Sequence, residues 1–75
     1  MNAKRRKKLR EILRTVEEVR SDLESVRDEE EDALDNTPES LQETDRYVES
    51  EEARDAMDSA IDSLSDAASY IEEVL

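Results

Sequence analysis

The chain of 75 residues contains no cysteine, no histidine and no glycine, and it has only one proline and two aromatic residues, both tyrosine. Without cysteine there is no disulfide and no thiolate metal site. Without histidine the commonest transition-metal ligand and the usual general base are missing. A chain this short buries a small share of its surface, so its core needs reinforcement. Self-association is the reinforcement that remains, and we expect a homodimer that needs no cofactor.

Positive charge is scarce outside the first ten residues. The chain has 23 acidic and 11 basic residues, a formal net charge of −12. The last 65 residues carry five arginines, no lysine and all 23 acidic residues, which gives them a net charge of −18. We therefore predict an acidic body with a basic tip. The basic tip consists of Lys4, Arg5, Arg6, Lys7, Lys8 and Arg10.

Long apolar runs are also missing. No run approaches the roughly 18 residues of a membrane span, and no apolar segment follows the basic start as it would in a secretion signal. We expect a soluble, cytoplasmic protein with no membrane partner. Because 45% of the residues are charged and 3% are aromatic, disorder has to be considered, and the periodicity of the sequence argues against it.

Apolar residues recur in alternating steps of three and four from Leu9 to Val26. This is the heptad pattern, with a and d positions facing a partner helix. It predicts a helix over about residues 3–34, on the order of 45 Å long at ~1.5 Å per residue. The predicted a residues are Leu9, Val16, Leu23 and Glu30, and the predicted d residues are Ile12, Val19, Val26 and Ala33.

The chain turns at its only proline. Thr37 is predicted to cap the start of a helix that has Pro38 in its first turn. We assign a turn to residues 35–38, a short helical turn to residues 38–44 and a second helix to about 46–75, where heptad spacing resumes. Its predicted a residues are Met57, Leu64 and Ile71, and its d residues are Ala53, Ala60, Ala67 and Val74. A flanking column contains Ile61, Ala68 and Leu75.

Two heptad stripes joined by a short turn predict an all-α, antiparallel two-helix hairpin of the coiled-coil type, with residues 1–75 as a single domain. One hairpin leaves most of its apolar surface in water, so we expect two copies to form a four-helix bundle. A domain-swapped dimer of long helices would use the same seams, and the sequence leaves that alternative open.

A row of carboxylates follows the second helix. Steps of three and four place five of its members on one outer face, about 5–6 Å apart, and Glu52 lies alongside them. Such a row resembles a nucleic-acid backbone and would fit a basic groove on another protein. A solvated face, or adaptation to high salt, is the simpler interpretation. The acidic row consists of Glu51, Glu52, Asp55, Asp58, Asp62 and Asp66.

The basic tip has two interpretations. An antiparallel hairpin is expected to bring it beside Glu72 and Glu73, so that the two ends neutralise each other. However, positive charge at a helix N-terminus opposes the helix dipole. A nucleic acid or another anionic partner therefore remains an alternative.

Few other residues suggest a site. Tyr47 and Val48 lie near the turn and are candidate exposed anchors for a partner, whereas Tyr70 is expected to pack beside the seam. The acidic run of residues 28–32 lacks the glycine and alternate spacing of a calcium loop, so no metal site is expected. Without histidine or a glycine-rich oxyanion loop, no catalytic residue is predicted, and we expect the protein not to be an enzyme.

Residues 26–42, VRDEEEDALDNTPESLQ, resemble the turn of a family of small acidic proteins from bacteriophages and prophages. Family members also resemble this chain in their basic start and in an acidic second helix rich in Ala, Ile and Asp. Leu34 stands where the family pattern has an aromatic residue, and the glycine after the turn is missing. The resemblance implies a phage setting and a bacterial host cell, in which small acidic proteins often inhibit host defence.

The leading hypothesis is therefore an accessory protein that binds and inhibits a host protein, such as a nuclease or a CRISPR component, through the acidic row. One alternative is a non-catalytic oligomerisation unit. A second is a nucleic-acid-binding module that uses the basic tip, although the acidic body should repel DNA and direct binding is not expected.

Overall fold

A computed structural model describes all residues, 1–75, and confirms the predicted all-α hairpin. Helix α1 spans Ala3–Asp35, a short 3-10 helix spans Glu39–Leu41, and helix α2 spans Asp45–Glu73. The two long helices pack against each other and form a rod of 59 × 14 × 13 Å. Both helices begin and end within two residues of the predicted bounds. No helix has an apolar stretch that is long enough to cross a membrane.

The turn between the helices is built differently from the prediction. The hydroxyl of Thr37 donates a hydrogen bond to the carbonyl of Ala33 (2.8 Å), so Thr37 closes α1 and does not cap the next helix. Pro38 is extended (φ −57°, ψ 144°) and precedes the 3-10 helix. Thr44 is the N-cap of α2, and its hydroxyl accepts a hydrogen bond from the backbone N–H of Tyr47 (3.3 Å). The prediction that Thr37 caps the helical turn that follows it was therefore wrong, because Pro38 is the N-cap of the 3-10 helix and no side chain caps it.

The seam between α1 and α2 runs along a different stripe from the predicted one. The a residues of both helices are half-buried, as predicted, but their partners across the seam come from the e positions. The buried core residues Leu34, Ile61 and Ala68 are all at e positions. Each helix is therefore rotated by roughly 50° from a symmetric a/d seam, because d and e lie on opposite sides of a.

The d residues of the predicted seam lie outside the hairpin core. Val19 is 47% exposed and Val26 is 52% exposed. Ala67 is half-buried, and every other d residue is exposed. The placement of the d column in the seam between α1 and α2 is thus corrected. The exposed members are Ile12, Val19, Val26 and Ala33 in α1 and Ala53, Ala60 and Val74 in α2.

Polar contacts between the helices define how they align along the rod. Residues 20 and 65, 27 and 58, and 31 and 54 are hydrogen-bonded partners across the seam. In each pair the two residue numbers add up to 85, so the last residue of the chain lies level with Arg10. Residues 3–9 of α1 therefore extend past the level of Leu75, the last residue, by about 10 Å, at ~1.5 Å per residue.

Candidate interaction surfaces

One long side of the hairpin is a charged edge, built around three arginines that bridge α1 and α2. Arg27 bonds Asp58 across the seam and Asp28 on its own helix. Arg54 reaches Glu31 across the seam at 3.1 Å. The charged edge consists of Arg20, Arg27 and Glu31 of α1 and Arg54, Asp58 and Ser65 of α2.

Two arginines of the charged edge, Arg27 and Arg54, are held in their charged form. The hydrogen bond to Asp58, and then the one to Asp28, raise the pKa of the Arg27 guanidinium. The hydrogen bond to Glu31 is the largest cause that raises the pKa of Arg54. A raised pKa means that protonation favours the folded hairpin and that this contribution disappears only at strongly alkaline pH. The bridges therefore persist at all pH values near neutrality.

The acidic row divides into paired and unpaired members. Asp58 is half-buried and bonds Arg27, and Asp55 is exposed and bonds Arg54 at 3.0 Å. The other four members form no ion pair. Among these, Glu51 is half-buried, whereas the remaining three carboxylates are fully available to a partner; they are Glu52, Asp62 and Asp66.

The basic tip lies on the part of α1 that extends past α2. Lys8 pairs with Glu11 of the same helix at 3.7 Å, and no ion pair joins the tip to α2. Glu72 and Glu73 lie level with Leu13 and Ile12, further along the rod. The expected neutralisation of the tip by these glutamates is therefore absent from the single hairpin, because the longer α1 carries the tip past them.

Tyr47 is less exposed than expected, and Tyr70 is more exposed than expected. Tyr47 is half-buried and, with Leu34 and Leu41, lines an open groove of about 590 Å³ at the turn. Val48 is exposed but does not line that groove. Tyr70 is 68% exposed, so the expectation that it packs beside the seam was wrong. Tyr70 is at a g position, and the rotation of α2 that exposes the d column exposes it as well.

The opposite long side of the hairpin is an apolar face formed by the exposed d columns. In an antiparallel pair, the d column of each helix lies on the same side of an a/e seam, so the columns of α1 and α2 run side by side. The charged edge occupies the other side. We define the apolar face as Ile12, Val19, Val26 and Ala33 of α1 and Ala53, Ala60, Ala67 and Val74 of α2.

Sequence reasoning missed the bridging arginines and the separation of the two sides. A signal was present, because Arg20, Arg27 and Arg54 are three of only five arginines in the acidic body and occupy e positions beside the a column. No group of three or more acidic side chains is arranged to hold a metal ion. No protein family, curated protein or solved structure matches the chain.

Proposed function

We propose that this protein is a non-catalytic accessory protein of the bacteriophage type, which binds and inhibits a nucleic-acid-binding protein of a bacterial host cell. The observation that carries the proposal is the acidic row on the outer side of α2, in which three exposed carboxylates, Glu52, Asp62 and Asp66, have no ion pair within the chain. The phage setting rests on the resemblance of the turn sequence.

The spacing of the acidic row supports mimicry of a nucleic-acid strand. Six carboxylates lie between Glu51 and Asp66, a distance of about 22 Å along a helix. This is roughly one carboxylate per 4 Å, close to the ~3.4 Å between successive phosphates along one DNA strand, and two of the six carboxylates are paired with arginines. A protein groove that binds phosphates with lysine and arginine would meet carboxylates at a similar spacing here.

The ion pairs of the charged edge indicate which carboxylates of the acidic row should contribute most to binding a partner. Asp55 and Asp58 are partly neutralised by Arg54 and Arg27, so they offer less charge to a partner. Their arginines also hold α2 against α1, which keeps the row straight and rigid. The contact is therefore expected to depend on Glu52, Asp62 and Asp66.

The proposal is tested with two variants that remove equal charge. The first carries Glu52→Gln, Asp62→Asn and Asp66→Asn. The control carries Glu17→Gln, Glu18→Gln and Asp22→Asn, three exposed α1 carboxylates without ion pairs. Each tagged protein is used to capture partners from bacterial lysate at low and high salt, and binding to a captured partner is then measured with and without competing duplex DNA.

We expect the unaltered protein and the control to capture a nucleic-acid-binding protein that both salt and DNA release. The first variant should bind that protein roughly tenfold more weakly, since three exposed ion pairs are lost together. A partner that binds both variants equally well, or that DNA does not displace, would show that the acidic row is only a solvated face.

A further inference from the structure

The single hairpin leaves the apolar face in water and has a small buried core. Only Leu34, Ile61 and Ala68 are buried in the whole chain. On the apolar face, Ile12 is 39% exposed and Val74 is 49% exposed. Val19 and Val26, in the middle of α1, are exposed as well. A chain of this size with so small a core needs further burial to be stable.

We propose that the apolar face is the interface with a second copy of this chain. In the proposed dimer the two hairpins lie face to face and antiparallel, as a four-helix bundle, with the basic tip of each copy against the acidic turn end of the other.

The dimensions of the rod fit a stable dimer. A whole long side of the rod measures 59 × 14 Å, close to the ~800 Å² that each partner buries in a specific, stable interface. The apolar columns from residue 12 to residue 33 occupy about half of that length, ~32 Å at ~1.5 Å per residue, and charged residues occupy both ends. The face carries no acidic or basic residue in its d columns, and four-helix bundles are built from pairs of faces of this kind.

The charge distribution favours a second copy of this chain as the partner on the apolar face, and it favours an antiparallel arrangement of the two copies. The basic tip has no ion-pair partner in α2, and the opposite end of the rod is strongly acidic. An antiparallel dimer places each tip beside the turn end of the other copy, near Asp35 and Glu39. A parallel dimer would place the two tips together at one end and the two acidic ends together at the other, about 10 Å apart, which is roughly one Debye length at 0.1 M salt, so that like charges repel.

The antiparallel arrangement also matches a large residue with a small one at each end of the apolar face. The midpoint of the apolar columns lies between Val19 and Val26 on α1. A twofold axis at that level sets Ile12 of one copy opposite Ala33 of the other, and Val19 opposite Val26. On α2 it sets Val74 opposite Ala53 and Ala60 opposite Ala67, so that α1 packs on α1 and α2 on α2.

This interface does not use the acidic row. The row lies on the far side of α2 from the apolar face, so the dimer would present one row on each outer surface. The inference is therefore independent of the proposed function, and either can fail without the other.

The first experiment measures the oligomeric state by sedimentation velocity over a range of concentrations. We expect the unaltered chain to be a dimer. The variant Val19→Glu should weaken the dimer roughly 100-fold or more, because the twofold axis places two carboxylates in the centre of an apolar interface. The control Ser21→Glu adds the same charge at nearly the same level on the outward side of α1 and should remain dimeric.

A second experiment reports the direction of packing and does not depend on whether the separated chains stay folded. The chain has no cysteine, so single-cysteine variants react only at the chosen site. Mixing Ile12→Cys with Ala33→Cys should give an efficient crosslink between copies with a short thiol reagent. Mixing Ile12→Cys with Val74→Cys, which a parallel dimer would join, should not.

Each of the two experiments has a result that would overturn the proposed dimer or its antiparallel arrangement. A monomeric unaltered chain, or a Val19→Glu variant that stays dimeric, would overturn the proposal and leave the apolar face to a different partner. A dimer that crosslinks only through residues 12 and 74 would overturn the antiparallel arrangement. Loss of the dimer in Val19→Glu supports the proposal even if helicity falls as well, since Val19 has no buried role within one chain.

Discussion

The turn end and the free end of the hairpin are held together by different forces. At the turn end, Leu34 is buried, two arginines bridge the helices, and Thr37 and Thr44 satisfy backbone groups at the helix ends. Beyond the level of Arg20, no hydrogen bond or ion pair joins α1 to α2. The free end has only half-buried apolar side chains between its helices, and beyond them a single overhanging helix.

This difference shows how the alignment of the helices is fixed. Apolar contacts repeat every heptad, so a slip by seven residues would preserve many of them, whereas polar pairs at single positions penalise such a slip. The arginine bridges lie in the turn half and the middle of the rod. The alignment is therefore set near the turn, and the free end follows it.

The largest effect is expected from removing the core at the turn end. Leu34→Ala deletes a side chain that is 4% exposed and should lower the free energy of unfolding by ~2–4 kcal/mol. Leu41→Ala is the matched control, since Leu41 is 50% exposed and should change stability by about 0.5 kcal/mol or less. Urea unfolding at one fixed protein concentration measures both. Similar losses in the two variants would mean that the turn end has no distinct core.

A medium effect should distinguish the two helix caps. Thr44→Ala removes the N-cap of α2 next to the turn and should cost ~1 kcal/mol. Asn2→Ala removes the N-cap of α1, whose side chain accepts a hydrogen bond from the N–H of Arg5 at 2.9 Å. Its cost should be smaller, because the overhanging first turns of α1 can fray without separating the helices. The same urea experiment compares them, and an equal cost would show that the overhang is coupled to the hairpin.

The smallest effect is expected from a bridging arginine. Arg54→Met should lower the melting temperature slightly, because the bridge to Glu31 is partly exposed. Leu34→Ala, measured by the same thermal melt, should lower it more. A double-mutant cycle with Glu31→Gln should give a coupling that fades at 1 M salt. Lys8→Met, at the free end, is the control and should leave the melting temperature almost unchanged. Coupling that survives high salt would indicate that the bridge acts through packing of the arginine side chain.

Most of the fold follows from the sequence because helical periodicity is a local property. The steps of three and four predict both helices, and the only proline marks the turn between them. The details of the turn are less predictable, because Thr37 and Thr44 are both suitable N-caps. Which one caps α2 depends on the 3-10 helix between them.

The candidate surfaces were predicted less well. The acidic row and the basic tip follow from composition, and their functions remain predictions. The pairing of Asp55 and Asp58 with arginines, and the absence of any pairing between the tip and α2, depend on how far the two helices slide along each other. A single sequence pattern contains no information about that distance.

The sequence by itself determined the helices, the hairpin and the separation of a basic tip from an acidic body. Only the tertiary structure decided which apolar column is buried between the helices and which stays outside. The d columns are apolar throughout, whereas three arginines interrupt the e columns, so periodicity alone favours the a/d stripe. The arginines at e positions bond acidic partners across the seam only when the e columns face each other, and this arrangement turns the d columns outward as an apolar face.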